Sequence, residues 1–249
     1  MKSLDKVFRI IDLLKSNKSM KLQEITNELG LPKSTVHRII SKLMKNKYIY
    51  KDSNNIYKLG YKFLEISNSI LNDFDLRDIA KDSIDKLSEI TKNTIHLAML
   101  ISKEVIYIDK RESQHSIRMY SQIGKTAPTY CTGVGKVLLA FQSKKAITEI
   151  LDNTSFHRYT NNTIVSKDSL LKELSEIRKN GYAVDNEEHE KNIGCIAAPI
   201  CNSENTAVGA ISITAILYDI KFEEILNYKD LLIAECKRIS KRLGYLVNG

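Results

Sequence analysis

Through the first 45 positions apolar residues recur at the three- and four-residue spacing of amphipathic helices. Leu4, Val7, Phe8, Ile11 and Leu14 share one face of a helix predicted over residues 4–15, with Ser3 as its cap and residues 16–19 as a polar turn. A shorter helix follows over residues 22–29, with Leu22, Ile25 and Leu29 inward. Gly30 ends it, because glycine accepts the left-handed backbone found just past a helix end. Pro32 suits the first turn of a third helix over residues 32–45, where its missing N–H is not needed. Val36, Ile39, Ile40 and Leu43 fall on one arc of roughly 100° of that helix. Tyr48-Ile49-Tyr50 and Ile56-Tyr57-Lys58-Leu59 then alternate around the polar run Asp52-Ser53-Asn54-Asn55, which predicts a hairpin. Three helices and a hairpin make a winged helix-turn-helix over residues 1–60.

Residues 61–74 read as a linker helix, with Phe63, Ile66 and Ile70 on one face. From residue 75 the pattern mixes strands and helices. A helix over 76–91 leads into a hairpin, 94–102 and 105–109. Helices follow at 136–142, 145–151 and 167–180, then strands at 182–185, 195–200 and 208–214, then a final helix over 222–243. Strands that do not alternate strictly with helices predict an α+β domain with an antiparallel sheet over residues 75–249.

Composition separates the two parts. The first 60 residues hold 13 Lys and Arg against 5 Asp and Glu, whereas the other 189 hold 25 against 25, so the whole net charge of +8 sits at one end. A small basic unit is built to meet a polyanion, and the neutral unit something else. A hydrophobic fraction of 43% supports packed cores, and ten Gly with three Pro exclude collagen-like and disordered classes. No apolar run approaches ~18 residues, and the N-terminus has no signal core, so a cytoplasmic protein that does not enter membranes is expected. Cys131, Cys195, Cys201 and Cys236 lack CxxC spacing and read as free thiols of a reducing compartment.

The polar arc of the third helix carries Ser34, Arg38, Ser41 and Lys45, flanked by Lys33, Thr35, His37 and Lys42, with no acid between Leu29 and Lys51. Such a face fits the major groove of double-stranded DNA, where base edges present a distinct donor and acceptor pattern. Arg38 suits bidentate pairing with guanine, and Ser34, Thr35 and Ser41 suit bases or phosphates. Lys42, Lys45, Lys51 and Lys58 suit phosphate, which sets register without reading sequence. His37 borders the apolar arc and reads as a packing or phosphate residue.

Other clusters carry less. Gly133-Val134-Gly135-Lys136 fails as a phosphate loop, because Cys131 and Tyr130 stand where the first glycine is required and Val137 follows the lysine. It reads as a flexible turn before a helix whose amides point at a small anion. Glu187-Glu188-His189-Glu190 lacks metal-ligand spacing and reads as a solvated charge run. His96, His115 and His157 are scattered and need no function. No metal, cofactor or catalytic residue is expected.

Leu4-Asp5-Lys6-Val7, Leu29-Gly30-Leu31-Pro32-Lys33-Ser34-Thr35-Val36-His37-Arg38 and Tyr57-Lys58-Leu59-Gly60 resemble the DNA-binding domain of IclR-type bacterial transcriptional regulators. Thr94-Ile95-His96-Leu97-Ala98, residues 133–140, Gly181-Tyr182-Ala183-Val184-Asp185 and Gly194-Cys195-Ile196-Ala197-Ala198-Pro199 resemble its effector-binding domain. The resemblance implies a GAF-like effector domain, dimers formed through the DNA-binding domains, and tetramers built from them. Within the family, Met119-Tyr120-Ser121-Gln122-Ile123-Gly124 and Tyr130-Cys131-Thr132-Gly133-Val134-Gly135-Lys136 look most like the 2-keto-3-deoxygluconate repressors of sugar-acid catabolism. It also implies an effector site: Gly133 and Val134 as amide donors, Asp185 and Cys195 as polar wall, Ser212 and Thr214 as hydroxyl partners, Met119 and Ile193 as apolar walls. Ser212 and Thr214 lie two apart on a strand and so face the same side, which supports their reaching one ligand. Expected partners are operator DNA, a small organic acid and further copies of the chain. The alternative is a GAF-like cysteine-dependent redox enzyme or sensor using Cys131 and Cys195, although no catalytic acid–base pair accompanies them.

Overall fold

The computed structural model describes residues 3–72, 75–101, 103–114, 119, 121–218 and 220–245; His115 and Tyr120, named above, lie outside the described residues. The chain divides into two compact units, Met1–Phe74 and Asp75–Gly249. Among the described residues no helix is long and apolar enough to cross a membrane.

The first unit runs α1 (Ser3–Asn17), β1 (Met20–Lys21), α2 (Leu22–Leu29), α3 (Lys33–Lys45), β2 (Ile49–Lys51), β3 (Ile56–Leu59) and α4 (Lys62–Asn72). Its core is Ile10, Leu14, Ile25, Leu29, Val36, Ile39, Ile40 and Ile49, with Val7 and Leu13 packed against it. This corrects the expected face of α1 in part: Val7 and Leu14 face the core as expected, joined by Ile10, which was not in the expected set. The helix carries two apolar stripes. Leu4 and Phe8 on the other stripe are 63% and 56% exposed. Gly30 ends α2 in the left-handed region (φ 62°), its N–H donating to Thr26 and Asn27 carbonyls. Pro32 is the residue before α3, one position earlier than expected. The wing has a third strand that was not predicted: Met20 pairs with Tyr57 and Lys21 with Ile56. Two residues are too few to show alternation. The wing turn is closed by Asp52, whose Oδ1 accepts the N–H groups of Asn54 and Ile56, each at 3.0 Å.

The second unit runs α5 (Asp75–Thr91), β4 (Thr94–Ile101), β5 (Glu104–Arg111), β6 (Thr126–Ala127), α6 (Gly133–Ala140), α7 (Lys144–Asp152), α8 (Lys167–Asn180), β7 (Ala183–Asn186), β8 (Ile193–Cys201), β9 (Ala207–Ile216), α9 (Phe222–Leu226) and α10 (Lys229–Arg242). The six strands form one antiparallel sheet in the order β6-β5-β4-β9-β8-β7. α5 and α10 pack against one another and onto this sheet, as does α6, which also contacts α8. Helical cover makes β4, β8 and β9 nearly continuous runs of buried residues. The expected single C-terminal helix is broken. Asn227 and Tyr228 donate to the carbonyls three residues back, tightening the turn so that α10 starts afresh at Lys229.

α6 begins three residues before its predicted start, and every one of its residues is buried. Thr132 caps it, its Oγ1 accepting the Gly135 N–H at 3.2 Å. The glycines expected in a flexible turn are therefore helical. Their role is close approach: a Cβ on Gly133 would stand 2.8 Å from Cys195 Sγ, and one on Gly135 2.6 Å from the Pro128 carbonyl oxygen. Gly135→Ala is accordingly expected to destabilise the protein by about 1–3 kcal/mol, read as a lowered midpoint in chemical denaturation. A midpoint equal to wild type would show that the backbone at Pro128 yields without penalty.

Candidate functional site

The register of the sheet assembles a polar floor. Asp185 on β7 pairs with Cys195 on β8, and Cys195 pairs with Thr214 on β9. One row over, Ser212 pairs with His96 on β4. Directly paired residues in an antiparallel sheet point to the same face. The five side chains share one side of the sheet, and all five line a cavity of about 360 Å³. Gly133 and Val134 border it from the N-terminal end of α6, and Met119 and Ile193 add apolar wall. Thus the eight residues expected in an effector site, drawn from five separate segments, meet around one cavity.

The helix end presents its first amides to this space. Thr132 satisfies Gly135, which leaves Gly133 and Val134 among the N–H groups a helix offers to an outside acceptor. The Gly133 amide also approaches the Cys195 sulfur. Behind the first turn, Lys136 is completely buried, its Nζ 2.5 Å from Glu188 Oε1 and 3.4 Å from Glu173 Oε1. Glu188 was expected in a solvated charge run. It is buried instead, because its carboxylate neutralises Lys136, although its Oε2 lacks a hydrogen-bond partner among the described residues. Its N–H donates to Asp185 Oδ1 at 2.8 Å, and its carbonyl accepts from Thr163 Oγ1 at 2.7 Å. Beyond it, His189, Glu190, Lys191 and Asn192 form cavity wall, closed by a hydrogen bond from Asn192 Nδ2 to Tyr218 Oη at 2.8 Å.

His96, given no role from sequence, is the centre of the hydroxyl network. Nε2 lies 2.7 Å from Ser121 Oγ, and Nδ1 lies 3.3 Å from both Ser212 Oγ and Thr214 Oγ1. Burial, reinforced by Lys110, pushes its pKa down to about 3, so the ring is neutral at physiological pH. The Tyr107 ring packs on it at 4.9 Å. The one available signal was indirect: His96 and Ser212 alternate into the same face of neighbouring strands. Lys136 and Glu188 gave none, since their pairing spans 52 positions.

Charge in the cavity is held low. Asp185 is buried, and desolvation, with help from Glu188 and against Lys136, raises its pKa to about 7. Burial likewise pushes the Cys131 and Cys195 thiols up, the opposite of the depressed pKa a reactive thiolate needs. Among the described residues no group of three or more His, Cys, Asp or Glu is placed to hold a metal.

In the first unit Lys33, Ser34, His37, Arg38, Ser41, Lys42, Lys45 and Lys51 are at least partly exposed, and Thr35 lies on the same helix face. Lys58 is less free than expected: it is half-buried and pairs with Asp52 at 3.0 Å in the wing turn. The amide of Ile56 and then Lys58 hold the Asp52 carboxyl below its usual range. Lys51 lies over the Tyr57 ring.

Asp185 makes a signed prediction. Its folded pKa lies above its unfolded value, so the stability linked to its protonated form is fully present below pH ~4 and is lost as pH rises to about 7. Asp185→Asn should therefore gain stability over wild type as pH is raised, with little gain at pH ~4 and up to about 4 kcal/mol at pH ~8, each tenfold change in proton affinity being worth about 1.4 kcal/mol. Denaturation curves at the two pH values check this; an equal difference at both contradicts it.

Comparison with known proteins bears on both units. The family described as "IclR helix-turn-helix domain" matches residues 3–53, and that described as "Bacterial transcriptional regulator IclR C-terminal" matches residues 68–241. The chain is 33% identical to the HTH-type transcriptional regulator KdgR of Escherichia coli (strain K12), over 98% of its own length and 93% of that protein. It is 31% identical to the HTH-type transcriptional regulator XynR of the same organism, over 98% of each. The crystal structure of the Thermotoga maritima IclR aligns with a TM-score of 0.84 at 34% identity, covering 97% of this chain and 98% of that one.

Proposed function

The chain belongs to the IclR family of bacterial transcriptional regulators, DNA-binding proteins rather than enzymes, and on that premise we propose that it is a repressor of a catabolic operon released or retuned by a small organic acid. The observation that supports this reading most is the convergence of the eight effector-site residues on one cavity. A cavity of about 360 Å³ suits a small molecule. Its amides, hydroxyls and neutral imidazole suit the oxygens of a keto or sugar acid, and the 2-keto-3-deoxygluconate branch of the resemblance makes that acid the first choice. KdgR and XynR are similarly close relatives, so a different acid of the same class fits the same chemistry.

In this reading the protein works in the cytoplasm as a homodimer or a tetramer of two such dimers. The exposed Leu4 and Phe8 of α1 give the DNA-binding unit an apolar face for a second copy. Operator and effector each favour one arrangement of the dimer, and the coupling between them is reciprocal. α3 reads the operator, with Arg38 as base reader and Lys33, Lys42, Lys45 and Lys51 on phosphates.

The two roles on α3 separate experimentally. Arg38→Ala is expected to weaken specific binding by about 1–3 kcal/mol while sparing non-specific binding, as loss of a bidentate base contact requires. Lys45→Ala is expected to weaken all sequences alike and to lower the slope of log K against log salt by about 0.9. Binding of Arg38→Ala to operator at wild-type strength removes it as a base reader, and an unchanged slope takes Lys45 off the phosphates.

For the cavity, 2-keto-3-deoxygluconate at about 100 times its Kd should stabilise the full chain by about 2.7 kcal/mol, raising the melting temperature by a few degrees. A shift with another keto or sugar acid alone keeps the regulator and replaces the effector. No shift with any acid contradicts the acid-effector reading.

A further inference from the structure

The charges around the cavity do not balance for the ligand it is built to receive. The cluster behind it holds the buried Asp185 and Glu188 carboxyls and the partly exposed Glu173 carboxyl against one buried cation, Lys136, whose ammonium is already shared between the two glutamates. Lys110, the nearest cation behind His96, is engaged by Glu112 at 3.0 Å and by the Met119 and Ser121 carbonyls at 3.3 and 2.8 Å. Lys191 reaches the wall only from an exposed position. The other titratable groups facing Asp185 are Tyr107 from β5, Cys131 from the segment before α6 and Cys195 from β8; His189 and Glu190 follow on its own loop. None of them brings a positive charge into the floor.

An acid seated on the Gly133 and Val134 amides is placed beside Cys195, the cross-strand partner of Asp185. Two carboxylates confined to one desolvated site do not both stay ionised; one proton is shared between them. We propose that the effector acid is taken up together with one proton from solution, held between its carboxylate and Asp185. This rests on the acid-effector reading above. Asp185 Oδ1 already accepts the Glu188 N–H, so one carboxyl oxygen is fixed as an acceptor and the proton resides on the other. The elevated pKa of the free protein, about 7, fits the same arrangement: little further cost attaches to protonation near neutrality.

A consequence is regulation by acidity. Below neutral pH Asp185 already carries its proton, and binding is independent of pH. Above it each pH unit is expected to weaken binding by up to about tenfold, the limit for one linked proton. The same concentration of effector then occupies more of the regulator in an acidified cell.

Isothermal titration calorimetry on the full chain tests this with 2-keto-3-deoxygluconate, gluconate, galacturonate and pyruvate as probes, at pH ~6 in phosphate and in imidazole, and at pH ~8 in phosphate and in Tris. For an acid that binds, buffer-dependent heats at pH ~8 are expected to be equivalent to nearly one proton taken up. Almost none is expected at pH ~6, and the Kd should rise about tenfold between the two. Asp185→Asn should abolish both the uptake and the pH slope, whatever affinity it retains. Binding with equal heats in both buffers and one Kd at both pH values overturns the proposal while leaving the effector reading intact. Uptake that persists in Asp185→Asn overturns the assignment to Asp185. Absence of binding by every acid at both pH values overturns the effector reading itself, and this proposal with it.

Discussion

A lysine withdrawn completely from water organises the second unit. Lys136 sits in the middle of α6, and its ammonium is tolerable there only because Glu188 and Glu173 converge on it. Removing one partner of such a pair typically costs about 3–5 kcal/mol, since the other is left buried and uncompensated. The pair therefore fixes three things at once: the depth to which α6 sinks onto the sheet, its docking against α8, and the course of the segment after β7. The last of these matters most for the site. Glu188 is anchored by its side chain to Lys136 and by its N–H to Asp185, so the ion pair and the cavity wall share a residue.

The glycines of α6 serve the same constraint from the other side. They let the helix end approach Cys195 and the Pro128 backbone closely enough to bring the Gly133 and Val134 amides into the cavity. A helix end supplies partial positive charge without a cation. His96 is kept neutral, and the Cys131 and Cys195 thiols stay protonated. In the proposed reading the site would recognise oxygen atoms with dipoles and hydroxyls rather than with full charges. That suits a sensor, which needs reversible occupancy in the range of its ligand's concentration, and is unlike the activated groups of a catalyst.

Much of this was legible in the residues, and the reasons for the remainder are physical. α2 and α8 match their expected bounds because a polar or glycine boundary flanks a clean helical stripe. β1 and β6 went unseen since two residues carry no period. Leu4 and Phe8 were placed inward because a helical wheel with two apolar stripes does not say which one meets the core. The effector residues came from family resemblance, with Ser212 and Thr214 also supported by strand alternation. His96 and Glu188 were missed for one reason: each owes its role to a partner distant in sequence, Ser212 for the imidazole and Lys136 for the carboxylate.

The central claim is that a small acid binds between the α6 amide end and the Asp185–Cys195–Thr214 row. Hydrogen exchange of the full chain, followed by mass spectrometry with and without the acid that stabilises it most, tests this directly. The account predicts slowed exchange at residues 133–136, 185–195 and 212–214. No such slowing at these positions, with protection elsewhere in the second unit, would place the ligand in a different site and contradict the account.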